Sequence, residues 1–163
     1  ENLTTKEPDL SFVNRVDSMD SDADVVVVFG GTNDFGHGDA KLGTFESRDP
    51  YTFYGAMHVL CEKLINRFPN ADILFMTPLH RCSEDEVSKE NGLPEETNLA
   101  GYVSIIREVA EFYGLPVLDL FSTSGLQPKV DIIKETYMPD GLHPSDAGAL
   151  RIALRLMGFL QTL

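Results

Sequence analysis

Basic residues are scarce in this chain. Lys and Arg number 13 against 26 Asp and Glu, giving a formal net charge of −13 over 163 residues. That deficit argues against a nucleic-acid partner, which needs a basic stripe for the phosphates, and against docking on an anionic membrane surface. No apolar run approaches the roughly 18 residues of a membrane-spanning helix. Cysteine is scarce too. Cys61 and Cys82 are too few for a disulfide framework and read as buried or idle thiols. Unpaired thiols lean toward a cytoplasmic location. His37, His58, His80 and His143 show no paired spacing such as H-x-x-x-H, so no metal site is expected. There is no internal repeat, no low-complexity tract and no visible signal peptide at a start that is Glu1 rather than Met.

What is present suits one globular domain over residues 1–163, with 42% hydrophobic residues. After a polar lead-in through residue 11, Phe12, Val13, Val16 and Met19 mark one face of a short helix. Val25 to Phe29 is a continuous apolar run, the pattern of a strand buried on both faces of a parallel sheet. A Gly-rich loop is expected from Gly30 through Gly43. Helical spacing runs from Phe53 to Phe68, and Ile73–Met76 forms a second short strand. Residues 81–98 are polar and aperiodic, a long connection that could cap a pocket. A helix from Leu99 to Tyr113 stops at Gly114 and Pro116. A third strand is expected over Val117–Phe121, then a loop to about Pro144. The last helix, from about Ser145 to Leu160, carries Ala149, Leu150, Ala153, Leu156, Met157 and Leu160 on one face. Alternation of this kind predicts an α/β domain with a parallel sheet and helices on both faces. Three strands are few for such a domain, which suggests that strands lie upstream.

In open parallel sheets, ligands bind beyond the carboxyl ends of the strands. Two segments fall there. Gly30-Gly31-Thr32-Asn33-Asp34 follows the first strand. Its glycines permit close backbone approach, and the Asn33 amide could donate to an oxyanion. From local sequence alone it reads first as a turn stabilised by Asn33 and Asp34. Neither a phosphate loop nor a G-x-G-x-x-G spacing is present. Asp140-Gly141-Leu142-His143-Pro144 precedes the last helix. Asp140 could accept from the imidazole of His143 and leave the other ring nitrogen as a general base, or the segment could be a plain helix-entry turn. His37, His80 and Arg81 sit where they could line the rim of a site or serve only as loop polarity. His58 lies within a helix and reads as packed or exposed.

Together the two segments resemble something specific. Gly31-Thr32-Asn33-Asp34 resembles the G-x-N-D block of the SGNH hydrolases, the GDSL esterases and lipases. Asp140-Gly141-Leu142-His143 resembles their D-x-x-H block, in the same order along the chain. The resemblance runs from about Asp24 to the C-terminus. It implies a three-layer αβα sandwich, flavodoxin-like, with a five-stranded parallel sheet. It implies hydrolysis of small-molecule carboxylic esters by a Ser-His-Asp triad, with no cofactor and no metal. His143 is then the base, Asp140 its orienting carboxylate and Asn33 an oxyanion donor, with Gly31 shaping the loop. The G-D-S block and the second oxyanion block do not occur here, and Asp17-Ser18 follows a helical pattern, so the nucleophile is unknown. About 50–60 residues carrying two strands are expected to precede Glu1. The substrate expected is a short acyl ester, such as an acetylated sugar. A non-catalytic binding module of the same fold, an inactive fragment and a nucleotide-binding domain stay open as alternatives. Nothing in the sequence sets an oligomeric state.

Overall fold

The computed structural model describes residues 11–37, 41–86 and 97–163. Most of the expected lead-in, the middle of the Gly-rich loop and residues 87–96 of the long polar connection lie outside the described residues. Three parallel strands form the sheet: β1 (Val25–Phe29), β2 (Asp72–Met76) and β3 (Val117–Leu118), in the order β1-β2-β3. Val26 pairs with Ile73 and Val28 with Phe75. These four side chains share one face, because strand side chains alternate.

That face carries the larger core. Short α1 (Phe12–Arg15) runs into a 3-10 turn at Val16–Ser18. Next come α2 (Thr32–His37), α3 (Phe53–Arg67) and α4 (Leu99–Phe112). Val13, Val16, Phe35, Leu60, Leu64, Ile106 and Val109 close over Val26, Val28, Ile73 and Phe75. Caps start the helices: Thr52 accepts from Gly55 N–H ahead of α3. The opposite face is smaller. Leu74, Met76 and Leu118 pack there against Leu120 and Leu126, with Ile152, Leu156 and Phe159 half-buried against them. The elements on this side are α5 (Leu120–Thr123), α6 (Asp131–Tyr137) and α7 (Asp146–Leu160). Helices thus cover both sides of a parallel sheet, as the sequence pattern predicts.

Several expectations need correction. The segment expected as a Gly-rich loop contains α2. Phe35 is buried, its ring edge-on to Tyr102 at 5.8 Å, and its N–H donates to the Gly31 carbonyl. One anchored aromatic outweighs the glycine content. The expected third strand stops at Leu118 because Asp119 caps α5, accepting from Ser122 N–H at 3.1 Å. The expected loop to Pro144 also contains α6, which buries no residue and so leaves no apolar period to read. β1 is not buried on both faces: Val25, Val27 and Phe29 are exposed. The second layer reaches β2, where Leu74 is fully buried, but leaves its neighbour Val27 open. In α7, Leu156 and Leu160 do pack inward, but Ala149, Leu150, Ala153 and Met157 face out.

Cys61 is buried and Cys82 exposed, neither in a disulfide. Burial pushes the Cys61 thiol up to about 12. His58 is buried among Phe45, Phe112 and Tyr113, and its Nδ1 lies 3.1 Å from the Tyr113 hydroxyl. Burial, helped by the Arg48 charge, lowers its pKa; Glu62 and Glu108 oppose this. The neutral form is therefore favoured in the fold. As pH falls below the ordinary histidine value, near 6.5, the unfolded chain gains a proton that the folded chain resists, and stability drops. The stability difference between wild type and His58→Gln should shrink from about pH 7.5 to 5.5 in paired thermal melts. Parallel pH curves for the two proteins would contradict this.

Candidate active site

Parallel strands end on one edge of the sheet, and that edge carries a cleft of about 190 Å³. Phe29 and Gly30 leave β1 into it, and Thr32 and Asn33 line it from the first turn of α2. Pro78 and Leu79 contribute the wall after β2. Leu142, His143 and Pro144 close it from the turn that enters α7. Gly31 turns the chain between β1 and α2 with φ +102°, a region that L side chains rarely adopt. The two distant sequence blocks therefore meet at one cleft.

The His143 turn is built by a single carboxylate. Asp140 Oδ1 accepts from Leu142 N–H at 2.8 Å and from His143 N–H at 2.7 Å. Oδ2 accepts from His143 Nδ1 at 2.7 Å. Because the acceptor is a carboxylate, Nδ1 carries the proton and Nε2 offers its lone pair. The imidazole bond foremost, then the two backbone bonds, hold the Asp140 carboxyl far below the ordinary carboxylate range. The His143 side chain is 76% exposed. The ring lines the cleft, where an incoming group can reach it. Gly141 has φ +78°, and a Cβ there would lie 2.5 Å from Cys82 Sγ, so both conformation and space demand glycine. Cys82 N–H donates to the Gly141 carbonyl at 2.9 Å, and Gly141 N–H to that of the buried Met138 at 2.8 Å.

The profile of the GDSL-like Lipase/Acylhydrolase family matches residues 4–151. The chain belongs to this family. One solved structure is 40% identical, with a TM-score of 0.84 over 99% of this chain and 75% of its own. A protein from Lactobacillus plantarum is 29% identical, with a TM-score of 0.86 over 99% of this chain and 76% of its own. A peptidoglycan O-acetylesterase is similar in fold alone, 17% identical with a TM-score of 0.67 over 93% of this chain and 40% of its own. No curated protein matches the sequence. Membership of this family supports hydrolase activity.

In this GDSL-family chain the remaining residues singled out from sequence, Asp34, His37, His80 and Arg81, are not among those lining the cleft. Asp34 is buried in α2 and does not line it. His37 is exposed at the end of α2. His80 is half-buried, with Nδ1 2.6 Å from Glu84 Oε2 and its ring centroid 3.9 Å from that of Phe121. Arg81 reaches the Thr32 carbonyl at 3.3 Å. Among the described residues no three His, Cys, Asp or Glu gather to hold a metal ion, and no helix is long and apolar enough to cross a membrane. Sequence reasoning missed Glu84, a carboxylate only 7% exposed. Its burial works against ionisation, but bonds from Lys129, His80 and Gln127 hold its pKa below the ordinary value. It missed Asp119 as well, whose carboxylate accepts from Thr77, Ser122 and Arg107. An acidic loop hides which of its carboxylates folds inward, so no local signal marked Glu84.

The Asp140 turn makes a direct prediction. Its carboxyl carbon, followed by ¹³C NMR, should show no titration midpoint between about pH 3 and 7, where ordinary carboxylates titrate. A midpoint near 4 would refute the three-bond turn.

Proposed function

We propose that the protein is a carboxylic-ester hydrolase of the SGNH type. The juxtaposition of Asn33 with the Asp140–His143 pair across one cleft supports this most. A nucleophilic serine attacks the acyl carbonyl, and His143 Nε2 takes its proton. Asp140 holds the ring and stabilises the imidazolium. The Asn33 amide donates to the oxyanion as negative charge develops on it. The alkoxide then leaves with the proton from His143, and a water activated by the same nitrogen releases the acid. Asp140 keeps its charge as pH falls through the ordinary carboxylate range, so it should add no step of its own to the acid limb of the rate.

The substrate is a short acyl ester on a small polar alcohol, such as an acetylated sugar. The cleft's volume, about 190 Å³, is below the usual range for drug-sized ligands and suits a small acyl group. The similarity in fold to a peptidoglycan O-acetylesterase agrees with this reading. The unpaired thiols fit a reducing, cytoplasmic setting.

Intact mass spectrometry before and after a serine-directed fluorophosphonate tests the mechanism. One covalent adduct is expected, and its formation should slow when substrate ester is present in excess. Absence of an adduct together with no hydrolysis of p-nitrophenyl acetate would favour a non-catalytic binding module instead. Asn33→Ala should lower kcat by about 10²–10³, the usual loss for one oxyanion donor. His143→Ala should abolish nearly all turnover, and wild-type rates in that variant would remove His143 from the mechanism. Across p-nitrophenyl esters of rising length, kcat/KM should peak at acetate or propionate; a peak at long chains would overturn the substrate reading.

A further inference from the structure

The two halves of the cleft come from α2 and from the turn before α7, and they are joined by a third piece of chain. Residues 80–86 lie between them. Arg81 reaches one side. Its Nη1 donates to the Thr32 carbonyl at 3.3 Å, beside Asn33. Its guanidinium sits over the Phe35 ring at 5.4 Å. It also packs on Gly36, where a Cβ would lie 2.9 Å from Nη1. Cys82, the next residue, reaches the other side: its N–H donates to the Gly141 carbonyl at 2.9 Å, within the Asp140–His143 turn. Adjacent residues thus touch the donor helix and the base turn.

One carboxylate ties the joint together. Glu84 Oε2 accepts from Arg81 N–H at 3.2 Å and lies 2.6 Å from His80 Nδ1. Its Oε1 accepts from Gln127 Nε2 at 3.1 Å and pairs with Lys129 Nζ at 2.9 Å. The Glu84 N–H donates to the Arg81 carbonyl, and the Glu84 carbonyl accepts from Leu99 N–H. Four donors converge on one buried carboxylate, and breaking such a network costs far more than an exposed pair would. Arg81 and Glu84 do not line the cleft.

We propose that Arg81 and Glu84 are positioning residues, making residues 80–86 a strut that fixes the Asn33 helix relative to the His143 turn. The proposal rests on the esterase reading above. Neither residue touches the acyl group. Their loss should therefore act on the chemical step through the placement of Asn33, where an error of about 1 Å can cost about 10²-fold.

A double-mutant cycle on the full protein tests it, using p-nitrophenyl acetate. Arg81→Ala is expected to lower kcat about 10- to 100-fold with KM within about threefold, and added methylguanidinium is expected to restore part of the loss. In the Asn33→Ala background the same change should cost less than about threefold, because the donor it positions is already gone. Glu84→Gln, which keeps an acceptor, should retain more kcat than Glu84→Ala. Arg81→Lys serves if Arg81→Ala does not fold, with the same expectation of a smaller effect in the Asn33→Ala background. Equal, multiplicative losses in both backgrounds would overturn the strut while leaving the esterase standing. A wild type without turnover, or an Asn33→Ala variant at full rate, would overturn the esterase reading and the strut with it.

Discussion

All three strands run the same way, so their carboxyl ends share one edge of the sheet. Every group at the cleft descends from that constraint. β1 must deliver its chain to α2 there, and β2 must deliver Pro78 and Leu79 beside it. The crossover helices α3 and α4 return the chain to the far edge each time, as parallel pairing requires. The turn before α7 then needs only to lean against residues 80–86 to face Asn33. Parallel pairing thus converts residues far apart in sequence into neighbours.

Two histidine–carboxylate pairs lie near this edge, and their surroundings separate them. His80 and Glu84 share a network in which the carboxylate is buried and accepts from Lys129 and Gln127 as well. The His80 ring is further held over Phe121. Such a pair is committed to holding structure. His143 and Asp140 are both exposed, and Asp140 is satisfied entirely by its own turn. An exposed pair gains little stability from its charge interaction. Its geometry instead fixes a tautomer that leaves Nε2 without a proton, which is the requirement for a base.

Much of the fold was readable because the larger core leaves periodic traces. α3 and α4 bury one stripe each, and β2 ends at a Thr-Pro pair that no strand continues through. Elements without a buried stripe escaped. α6 buries nothing, and α5 is nucleated by Asp119, whose role depends on Arg107 and Thr77 arriving from elsewhere. β1 misled for a different reason. Five apolar residues look alike whether one face or both are covered, and only the extent of the second layer decides.

The site divides along the same line. Asp140 and His143 were legible because their geometry is local: a three-residue turn closed by one side chain needs no other part of the chain. Asn33 was legible by type but not by conformation, since its helix is anchored by Phe35 against Tyr102, a contact distant in sequence. Glu84 was not legible at all. It sits in an acidic, aperiodic stretch, and what distinguishes it from Asp85 or Glu86 is its burial and its bonds to Gln127 and His80. Local chemistry can be read from neighbours in sequence. The support that sets distances between such local pieces is a property of the assembled tertiary structure, so it becomes visible only when the pieces are in place.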